Sequence, residues 1–461
     1  MIPYSILSPS LHRSSTAPAP ISVQARSEAG VPPLCDVLSS AFPGFVGHPG
    51  PRCAPESLHR DAVRSSGPRA AAEWRRRDKA TSRGGDASLL PFHHSQRTRA
   101  ALQPLLPLHS YPRSSSAPIA PIHTSLRSMP IPSVTVGPVP LAKVATGLMR
   151  LTWAPKHTPD EQAFELMKMA IDEGSTTFNS GYFYGTPPDV TANLKLISRF
   201  CEKYPDYKDK FFLSVKGGIT PQMKPNADID FLRKQVTEVN EILKHRKMDL
   251  FEIARVDKET GPEKSMQNLL TLRDEGHFKY IGISEASADT IRRSAAVGPI
   301  AAVELEYSPF ATEIEKNGVL DACKELGIPI AAYSPLGAGF LGNNWKSKED
   351  IPEGDMRRNF DKFSDEHFEH NMELVRKLTS IAEKKGVTPA QLSIAWVGAQ
   401  WEGISVLPGS TNPQRAKQCI EAANIAFTPE ELADIRKVVD SFEVKGVRYV
   451  KNEHVQSTLF G

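Results

Sequence analysis

The amino-acid sequence predicts an α/β fold: a (β/α)8 barrel of the TIM type, preceded by a disordered N-terminal extension. The composition changes near residue 129, and beyond it eight short apolar runs alternate with amphipathic helical segments. Such alternation is typical of parallel strands joined by helical crossovers. No GxGxxG follows the first apolar run, which disfavours a doubly wound sheet. Residues 129–461 also suit the length of one barrel.

The predicted strands are short runs rich in branched and aromatic residues, at 144–151, 175–179, 211–216, 248–255, 280–284, 302–307, 328–333 and 404–408. The segments between them have helical periodicity, at 161–173, 190–203, 230–243, 263–275, 288–295, 314–326 and 365–385. An extra helix is expected at 388–401, before the eighth strand. Two short runs at 134–136 and 139–141 predict a small hairpin before the barrel.

Residues 1–128 are rich in Pro, Ser, Ala and Arg, hold 17 of the 38 prolines and show no sustained period. We therefore expect disorder there and assign the barrel domain to 129–461. Three interpretations stay open: a disordered extension, an upstream region not translated in the working protein, with Met129 as the start, or a cleaved mitochondrial leader. Arginines and serines fit a leader, but acidic residues and prolines do not suit its amphipathic helix.

Composition excludes several classes of partner. Residues 1–128 contain 15 of the 56 Lys and Arg and 7 of the 53 Asp and Glu, which leaves 41 basic and 46 acidic residues in the remainder. This mildly acidic body disfavours nucleic acid, and no apolar run approaches the ~20 residues of a membrane span. The five cysteines are scattered, which indicates a reducing compartment, and no histidine has metal-ligand spacing. We predict a cytoplasmic protein (mitochondrial if the leader exists) with a small-molecule ligand, no metal and an undetermined oligomeric state.

A tyrosine and a lysine form the most informative pair. Tyr184 follows the second predicted strand, and Lys216 ends the third. A phenol with a pKa near ~10 is a poor acid at neutral pH, and a nearby ammonium group lowers that pKa. The pair therefore suits protonation of the alkoxide that forms when hydride adds to a carbonyl. Gly181 and Gly185, on either side of Tyr184, are expected to serve turn geometry.

Further polar and aromatic residues follow other predicted strands. Active sites of such barrels lie at the carboxyl ends of the strands, so these residues should share one rim. They are Trp153, Asn179, Ser284, Glu285, Glu304, Tyr307, Ser308, Ser334 and the run 408–412.

Five ordered motifs resemble the aldo-keto reductase superfamily over essentially all of 129–461. They are FNSGYFYG at 178–185, KYIGISEAS at 279–287, EYS at 306–308, YSPLG at 333–337 and LPGS at 407–410. Within the superfamily, the runs at 147–153 and 249–257 look like the fungal pyridoxal reductase branch. That resemblance implies an NADPH-dependent enzyme that reduces pyridoxal to pyridoxine, a step of vitamin B6 metabolism.

The family's catalytic residues are Asp, Tyr, Lys and His, and two of them differ here. Tyr184 and Lys216 match, whereas Asn179 stands at the Asp position and Ala254 at the His position. Asn179 can bond to Lys216 but carries no charge, so we expect Lys216 to be held less firmly as a cation. Ala254 cannot orient a carbonyl, and Arg255 should reach the pocket only from the strand end.

The resemblance also implies the cofactor contacts. Tyr307 would stack on the nicotinamide, with Ser284 and Glu285 at its carboxamide and Glu304 where a glutamine usually stands. The pyrophosphate would lie along Ser334, Leu336 and Gly339. The adenosine 2′-phosphate would be bound by Ser410, Asn412 and Arg415 at a helix N-terminus, and Arg415 favours NADPH because a guanidinium pairs bidentately with phosphate. Trp153 and Ala254 would line the substrate pocket.

Two alternatives to a pyridoxal reductase stay open. With two catalytic positions altered, the protein could be an NADPH-binding regulatory subunit with little turnover, although the retained Tyr184 and Lys216 speak against this. It could also reduce other carbonyls. The long segment 337–363 is interpreted as a mobile flap over the cofactor with glycine hinges, or as a loop that Phe340, Leu341 and Trp345 hold in place by packing.

Overall fold

Parallel pairing between neighbours in the sequence builds the whole sheet. A computed structural model of the protein describes residues 131–342 and 345–461. In this part of the chain eight parallel strands, β1 to β8, pair in sequential order. Parallel bridges from Val144 to Val406 and from Gly147 to Gly409 join the first strand to the last. The predicted (β/α)8 barrel is therefore confirmed.

The strands are short, and their inward side chains alternate with outward ones. Their bounds are β1 Thr146–Gly147, β2 Thr177–Gly181, β3 Phe212–Gly217, β4 Leu250–Ile253, β5 Tyr280–Ser284, β6 Ala302–Glu306, β7 Ile330–Tyr333 and β8 Ile404–Leu407. The first prediction, 144–151, is wrong in its second half, because Met149–Thr152 is a short helix. Leu148 and Leu151 are both fully buried, and their spacing of three suits a helical turn as well as a strand.

The α-helices from Asp160 to Ala399 match the predicted segments, whereas the one before them and the three after β8 fall in no predicted helical range. The helices are α1 Met149–Thr152, α2 Asp160–Asp172, α3 Ala192–Lys203, α4 Ile229–Leu243, α5 Pro262–Asp274, α6 Ala288–Val297, α7 Val319–Leu326, α8 Phe368–Lys385, α9 Pro389–Ala399, α10 Pro413–Glu421, α11 Pro429–Asp440 and α12 Glu453–Ser457. Side-chain caps fix the N-terminal ends of several of these helices. Thr388 and Thr428 form capping boxes at α9 and α11, and the Asp228 side chain caps α4.

The segment before β1 closes the bottom of the barrel. The Val134 amide donates to the Leu141 carbonyl at 2.8 Å, and Ser133 bridges to Ala142. Val134, Val139 and Leu141 pack on barrel residues in a small second core. The predicted hairpin is present as this short antiparallel contact, so apolar side chains cover the end of the barrel opposite the predicted site.

Aromatic stacking holds the loop after β7 against the barrel. The Phe340 ring stacks on Phe363 at 4.2 Å and on Phe310 at 4.9 Å, with interplanar angles of 5° and 4°. Phe340, Leu341 and Trp345 are all buried. The loop packs on the barrel as the second of the two interpretations expects, and its motion as a flap stays a prediction.

A C-terminal segment, residues 441–461, crosses the open end of the barrel and fastens the same loop. The Asp361 amide donates to the Tyr449 carbonyl at 2.7 Å, and the Val447 amide donates to the Asp361 carboxylate at 2.8 Å. At the chain end, the Ser287 amide donates to the Gly461 carbonyl at 3.0 Å. The segment thereby joins the β5 and β7 sides of the rim.

Some predictions concern residues outside the described part. Those for residues 1–128, including disorder and the domain boundary, lie outside it and stay predictions. No helix in 131–342 or 345–461 is long and apolar enough to cross a membrane.

We predict that Phe340→Ala destabilises the barrel domain, because it removes the central ring of the stack and leaves a cavity. The expected loss is about 3–5 kcal/mol of unfolding free energy, measured by denaturant or thermal unfolding. Phe442→Ala is the control, since that ring is half-buried and its ring contacts are with His370 and Lys377. Its loss should be clearly smaller. A Phe340→Ala protein within about 1 kcal/mol of the wild type would show that the stack does not hold the loop.

Candidate active site

The strand register brings four polar side chains into the barrel interior. Asn179 lies opposite Ser214 on β3, and Lys216 lies opposite Glu252 on β4. Glu304 on β6 lies opposite Ser284 on β5. Asn179, Lys216, Glu252 and Glu304 are each at most 6% exposed. We call these four residues the interior cluster.

Lys216 is at the centre of the interior cluster. Its Nζ donates to Asn179 Oδ1 at 2.5 Å, to Glu304 Oε2 at 2.7 Å and to Glu252 Oε1 at 3.3 Å. Asn179 Nδ2 in turn donates to Glu304 Oε2 at 2.6 Å and to Glu252 Oε1 at 3.3 Å. A single buried cation therefore faces two carboxyl groups and an amide.

The expectation that Lys216 is weakly held as a cation is wrong. Burial lowers the pKa of Lys216, but Glu304, Tyr184 and Glu252 outweigh burial and raise the pKa above its ordinary value. The expectation rested on the neutral Asn179 alone, and neither glutamate was recognised as a partner of Lys216. Glu304 was predicted at the cofactor and Glu252 was not singled out, although both have inward positions, on β6 and β4.

The second carboxyl group of the interior cluster, Glu252, has a raised pKa. Burial raises the pKa of Glu252 to about 8, Glu304 adds to the rise, and Lys216 lowers it. Gly282 makes room for this side chain, because a Cβ at Gly282 would lie 2.8 Å from the Glu252 Cβ. Glu252 is therefore a buried carboxyl group that holds a proton near neutral pH.

Tyr184 lies just after β2, with its ring beside the interior cluster. Lys216 Nζ is 5.4 Å from the ring centroid, and Trp153 stacks on the ring at 5.6 Å. Burial raises the pKa of Tyr184 to about 12, which Lys216 opposes and Glu304 reinforces. The lysine acts in the predicted direction, but it does not lower the pKa below the ordinary value, so the phenol stays protonated at physiological pH.

The glycines beside Tyr184 allow close approaches instead of an unusual turn. A Cβ on Gly181 would lie 3.0 Å from the Tyr184 ring, and one on Gly185 would lie 2.1 Å from the Asp189 carbonyl oxygen. Neither glycine has a positive φ angle. The Tyr184 amide donates to the Gly181 carbonyl at 3.2 Å, so Gly181 begins a turn, and the missing side chain also gives the tyrosine ring space to lie on the strand.

An arginine approaches Tyr184 from the end of β4. Ala254 is buried and brings no polar group, while Arg255 donates to the Ala254 carbonyl at 2.6 Å. Burial lowers the pKa of Arg255, but interactions with Tyr333, Tyr449 and Glu285, and more weakly with Tyr184, raise it overall. Arg255 thus reaches the rim from the strand end, as its position suggested.

Several predicted cofactor residues lie on one side of the rim. Ser284 Oγ is buried at the end of β5 and has no hydrogen-bond partner among the residues that the structure describes. A carboxamide could supply that partner, so this residue fits a nicotinamide. Tyr307 has no exposed surface, and its ring lies 5.9 Å from Trp396. Its stacking role stays a prediction, as does the Glu304 contact with a cofactor.

The predicted phosphate residues follow β7 and β8. Ser334, Leu336 and Gly339 are partly exposed in the loop after β7. Ser410 Oγ accepts from the Asn412 amide at 3.1 Å, and Asn412 caps α10 by accepting from the Arg415 amide at 2.9 Å. Arg415 is exposed. Its guanidinium has no ion pair among the residues that the structure describes, which leaves it available for an anion.

A second charged cluster lies at the rim and was not predicted from the sequence. Glu285, predicted at the carboxamide, is fully buried, and Arg448 NH1 donates to it at 2.7 Å. The Tyr333 hydroxyl donates to the same carboxylate at 2.8 Å and shares a hydrogen bond with Tyr449 at 2.8 Å. Arg448 also pairs with Glu306 at 3.1 Å. Two buried glutamates at neighbouring strand ends were the available signal that a cation must come from elsewhere.

The described residues contain no group of three or more His, Cys, Asp or Glu side chains suited to a metal ion.

Fold and site together define a barrel oxidoreductase with a protonated tyrosine beside a buried lysine. A sequence model described as "Aldo/keto reductase family" matches residues 143–440. The chain belongs to the aldo/keto reductase family, as its motifs predicted.

Three similar proteins illustrate this membership. "Probable pyridoxal reductase 2" of Schizosaccharomyces pombe is 41% identical over 331 residues, which cover 70% of this chain and 97% of that protein. The NADP(+) aldo-keto reductase yakc of the same yeast is 36% identical over 328 residues, covering 70% and 95%. The glycerol dehydrogenase AKR11B4 of Gluconobacter oxydans has a TM-score of 0.59 at 22% identity, covering 69% of this chain and 96% of that one, and shares the fold.

We predict that the Glu252 carboxyl group makes the domain less stable at alkaline pH. Its pKa is higher in the folded than in the unfolded state, so its contribution is complete below the unfolded value of about 4.3 and is lost as pH rises through about 8. Glu252→Gln mimics the protonated form. Its Tm should rise relative to wild type between about pH 5 and about pH 9, equivalent to at least about 1 kcal/mol.

The control is Glu263→Gln. Glu263 is an exposed partner of Arg293, and its pKa is lowered by that hydrogen bond. The Glu263 carboxyl group has therefore finished titrating below this pH range. The Tm difference between Glu263→Gln and wild type should stay constant across it. Parallel curves for wild type and Glu252→Gln would contradict the assignment.

Proposed function

We propose that the protein is an NADPH-dependent aldehyde reductase that acts on pyridoxal or a closely similar aromatic aldehyde. The observation that carries this proposal is the buried Tyr184 beside the cationic Lys216 at the carboxyl ends of β2 and β3. A proton donor fixed at a barrel rim suits carbonyl reduction. The rival interpretation, a cofactor-binding regulator, gives no reason for a buried lysine that is paired with a glutamate beside a tyrosine.

The protein's part in the reaction follows from these side chains. NADPH, when bound, supplies the hydride. Tyr184 gives its proton to the oxygen of the substrate, and its raised pKa means that the proton is present at every physiological pH. Lys216 lies beside the ring and stabilises the phenolate that remains. Trp153, stacked on the same ring, excludes water from one side of the pocket.

Two residue sets support the cofactor assignment. The unpartnered Ser284 hydroxyl suits the carboxamide, and the exposed, unpaired Arg415 at the start of α10 suits a 2′-phosphate. The name of the yeast relative yakc carries NADP(+), which agrees with this choice.

Two observations support an aromatic aldehyde. The surroundings of Tyr184 are aromatic, with Trp153 stacked on its ring and Phe183 edge-on, and rings prefer such neighbours. The relative with 41% identity is named a probable pyridoxal reductase. A pyridoxal reductase would belong to vitamin B6 metabolism, and the scattered cysteines suit the cytoplasm.

We predict that Tyr184→Phe abolishes turnover and leaves cofactor binding intact, because only the proton donor is lost. Expected losses in kcat are at least about 100-fold. NADPH absorbance would be followed with the full chain, with and without pyridoxal and a panel of small aldehydes. Cofactor binding would be followed by fluorescence quenching. Substantial turnover by Tyr184→Phe would rule out its role as the proton donor.

The wild type in the same assay separates the alternatives. Pyridoxal-dependent consumption of NADPH supports the proposal. Consumption with other aldehydes alone would select a different carbonyl substrate. Quenching without any consumption would select the regulatory interpretation.

We predict that Arg415→Ala weakens NADPH binding about 10-fold or more and leaves NADH binding within about 2-fold, because only NADPH carries the 2′-phosphate. Both dissociation constants would be measured by fluorescence quenching. Gln414→Ala is the control, because it changes the neighbouring exposed residue and removes no charge. Equal weakening of both cofactors by Arg415→Ala would refute the contact.

A further inference from the structure

We propose that Glu304 supplies the negative charge that keeps Lys216 cationic, and that Asn179 is suited to this site because it carries no charge. Glu304 is then a positioning residue that acts through Lys216. This inference rests on the proposed reductase function for its kinetic arm, but its stability arm does not.

Distances identify Glu304 as the principal partner of Lys216. Its Oε2 lies 2.7 Å from Lys216 Nζ, whereas Glu252 Oε1 lies 3.3 Å away. Charge-assisted hydrogen bonds are strongest at the shorter distance. Glu304 also has the largest effect among the groups that keep Lys216 charged.

The orientation of the Asn179 amide follows from its partners. Lys216 can only donate and a carboxylate can only accept, so Oδ1 must face Lys216 and Nδ2 must face Glu304. The distances of 2.5 Å and 2.6 Å agree with this arrangement. Asn179 therefore accepts from the cation and donates to the anion, which an aspartate cannot do.

Charge balance explains why a neutral residue at position 179 accompanies a glutamate at position 304. The interior cluster holds one cation and two carboxyl groups, and Glu252 holds a proton near neutral pH, so one negative charge balances Lys216. A carboxylate at position 179 would face Glu304 at about the 2.6 Å of the present hydrogen bond. Two buried carboxylates at that distance repel each other, which raises the pKa at which one of them takes up a proton and destabilises the site above that pH.

The test is a double-mutant cycle on the full chain with Asn179→Asp, Glu304→Gln and both together. Each substitution preserves the shape of the side chain, so only charge and hydrogen bonding change. We would measure kcat against pH with the best aldehyde, and Tm for all four proteins. Interaction between the sites appears as non-additivity.

If Glu304 supplies this charge, each single variant should have a lower kcat than the double variant. Asn179→Asp should lower kcat about 10-fold at neutral pH and lower Tm, with both partly recovering at acid pH as the carboxyl pair takes up a proton. Glu304→Gln should lower kcat several-fold, because only Glu252 at 3.3 Å remains for Lys216. The double variant should return to within about 3-fold of wild type in kcat, because one carboxylate again faces the cation.

The control pairs Asn179→Asp with Glu306→Gln. Glu306 is a buried glutamate on the same strand, but its carboxylate faces Arg448 at 3.1 Å. Removing its charge should therefore give no rescue.

Additive effects in the cycle, or a wild-type-like Asn179→Asp protein, would overturn the proposal. Rescue by Glu306→Gln would also overturn it, since any lost carboxylate would then suffice. If the wild type reduces no aldehyde, the reductase function fails, and the Tm cycle alone decides the inference: rescue in Tm supports it, and additivity refutes it.

Discussion

The interior of this barrel depends on one buried ammonium group. Lys216 is 4% exposed, and an unpaired charge at that depth would cost several kcal/mol. Its partners come from three other strands, β2, β4 and β6, so the ion cluster ties opposite walls of the barrel together. The same ammonium lies beside the phenol of Tyr184. Stability and the proposed proton donation thus depend on one charge, and a change that weakens one should affect the other.

Small residues provide the space that this arrangement needs. Gly181 lets the Tyr184 ring lie against β2, and Gly282 leaves room beside Glu252. In both cases a methyl group would come within about 3 Å of a side chain that cannot move aside, because strand and ring are fixed by packing. At these two positions the glycines allow close packing because they lack a side chain, and their backbone freedom is not required.

The sequence allowed the fold and much of the rim to be predicted, because both depend on local pattern. Alternation of apolar runs and helical segments predicted the barrel, and strand ends predicted where Tyr184, Lys216 and Asn179 meet. The error in β1 arose because Leu148 and Leu151 suit a helical turn as well as a strand. The partners of Lys216 were missed for another reason: Glu304 is 88 residues away in the sequence, and no local pattern indicates which strands face each other across a barrel.

At the open end of the barrel a second cation, Arg448, also pairs with buried glutamates. Glu304 and Glu306 alternate on β6 with one residue between them, so both point to the same side. Lys216 balances the deeper carboxylate, and Arg448 from the C-terminal segment pairs with the outer one at 3.1 Å and with Glu285 at 2.7 Å. Without Arg448, two buried glutamates at neighbouring strand ends would repel each other. The segment after α11 is therefore part of the electrostatic balance of the barrel, and its position over the rim follows from the charges that β5 and β6 place there.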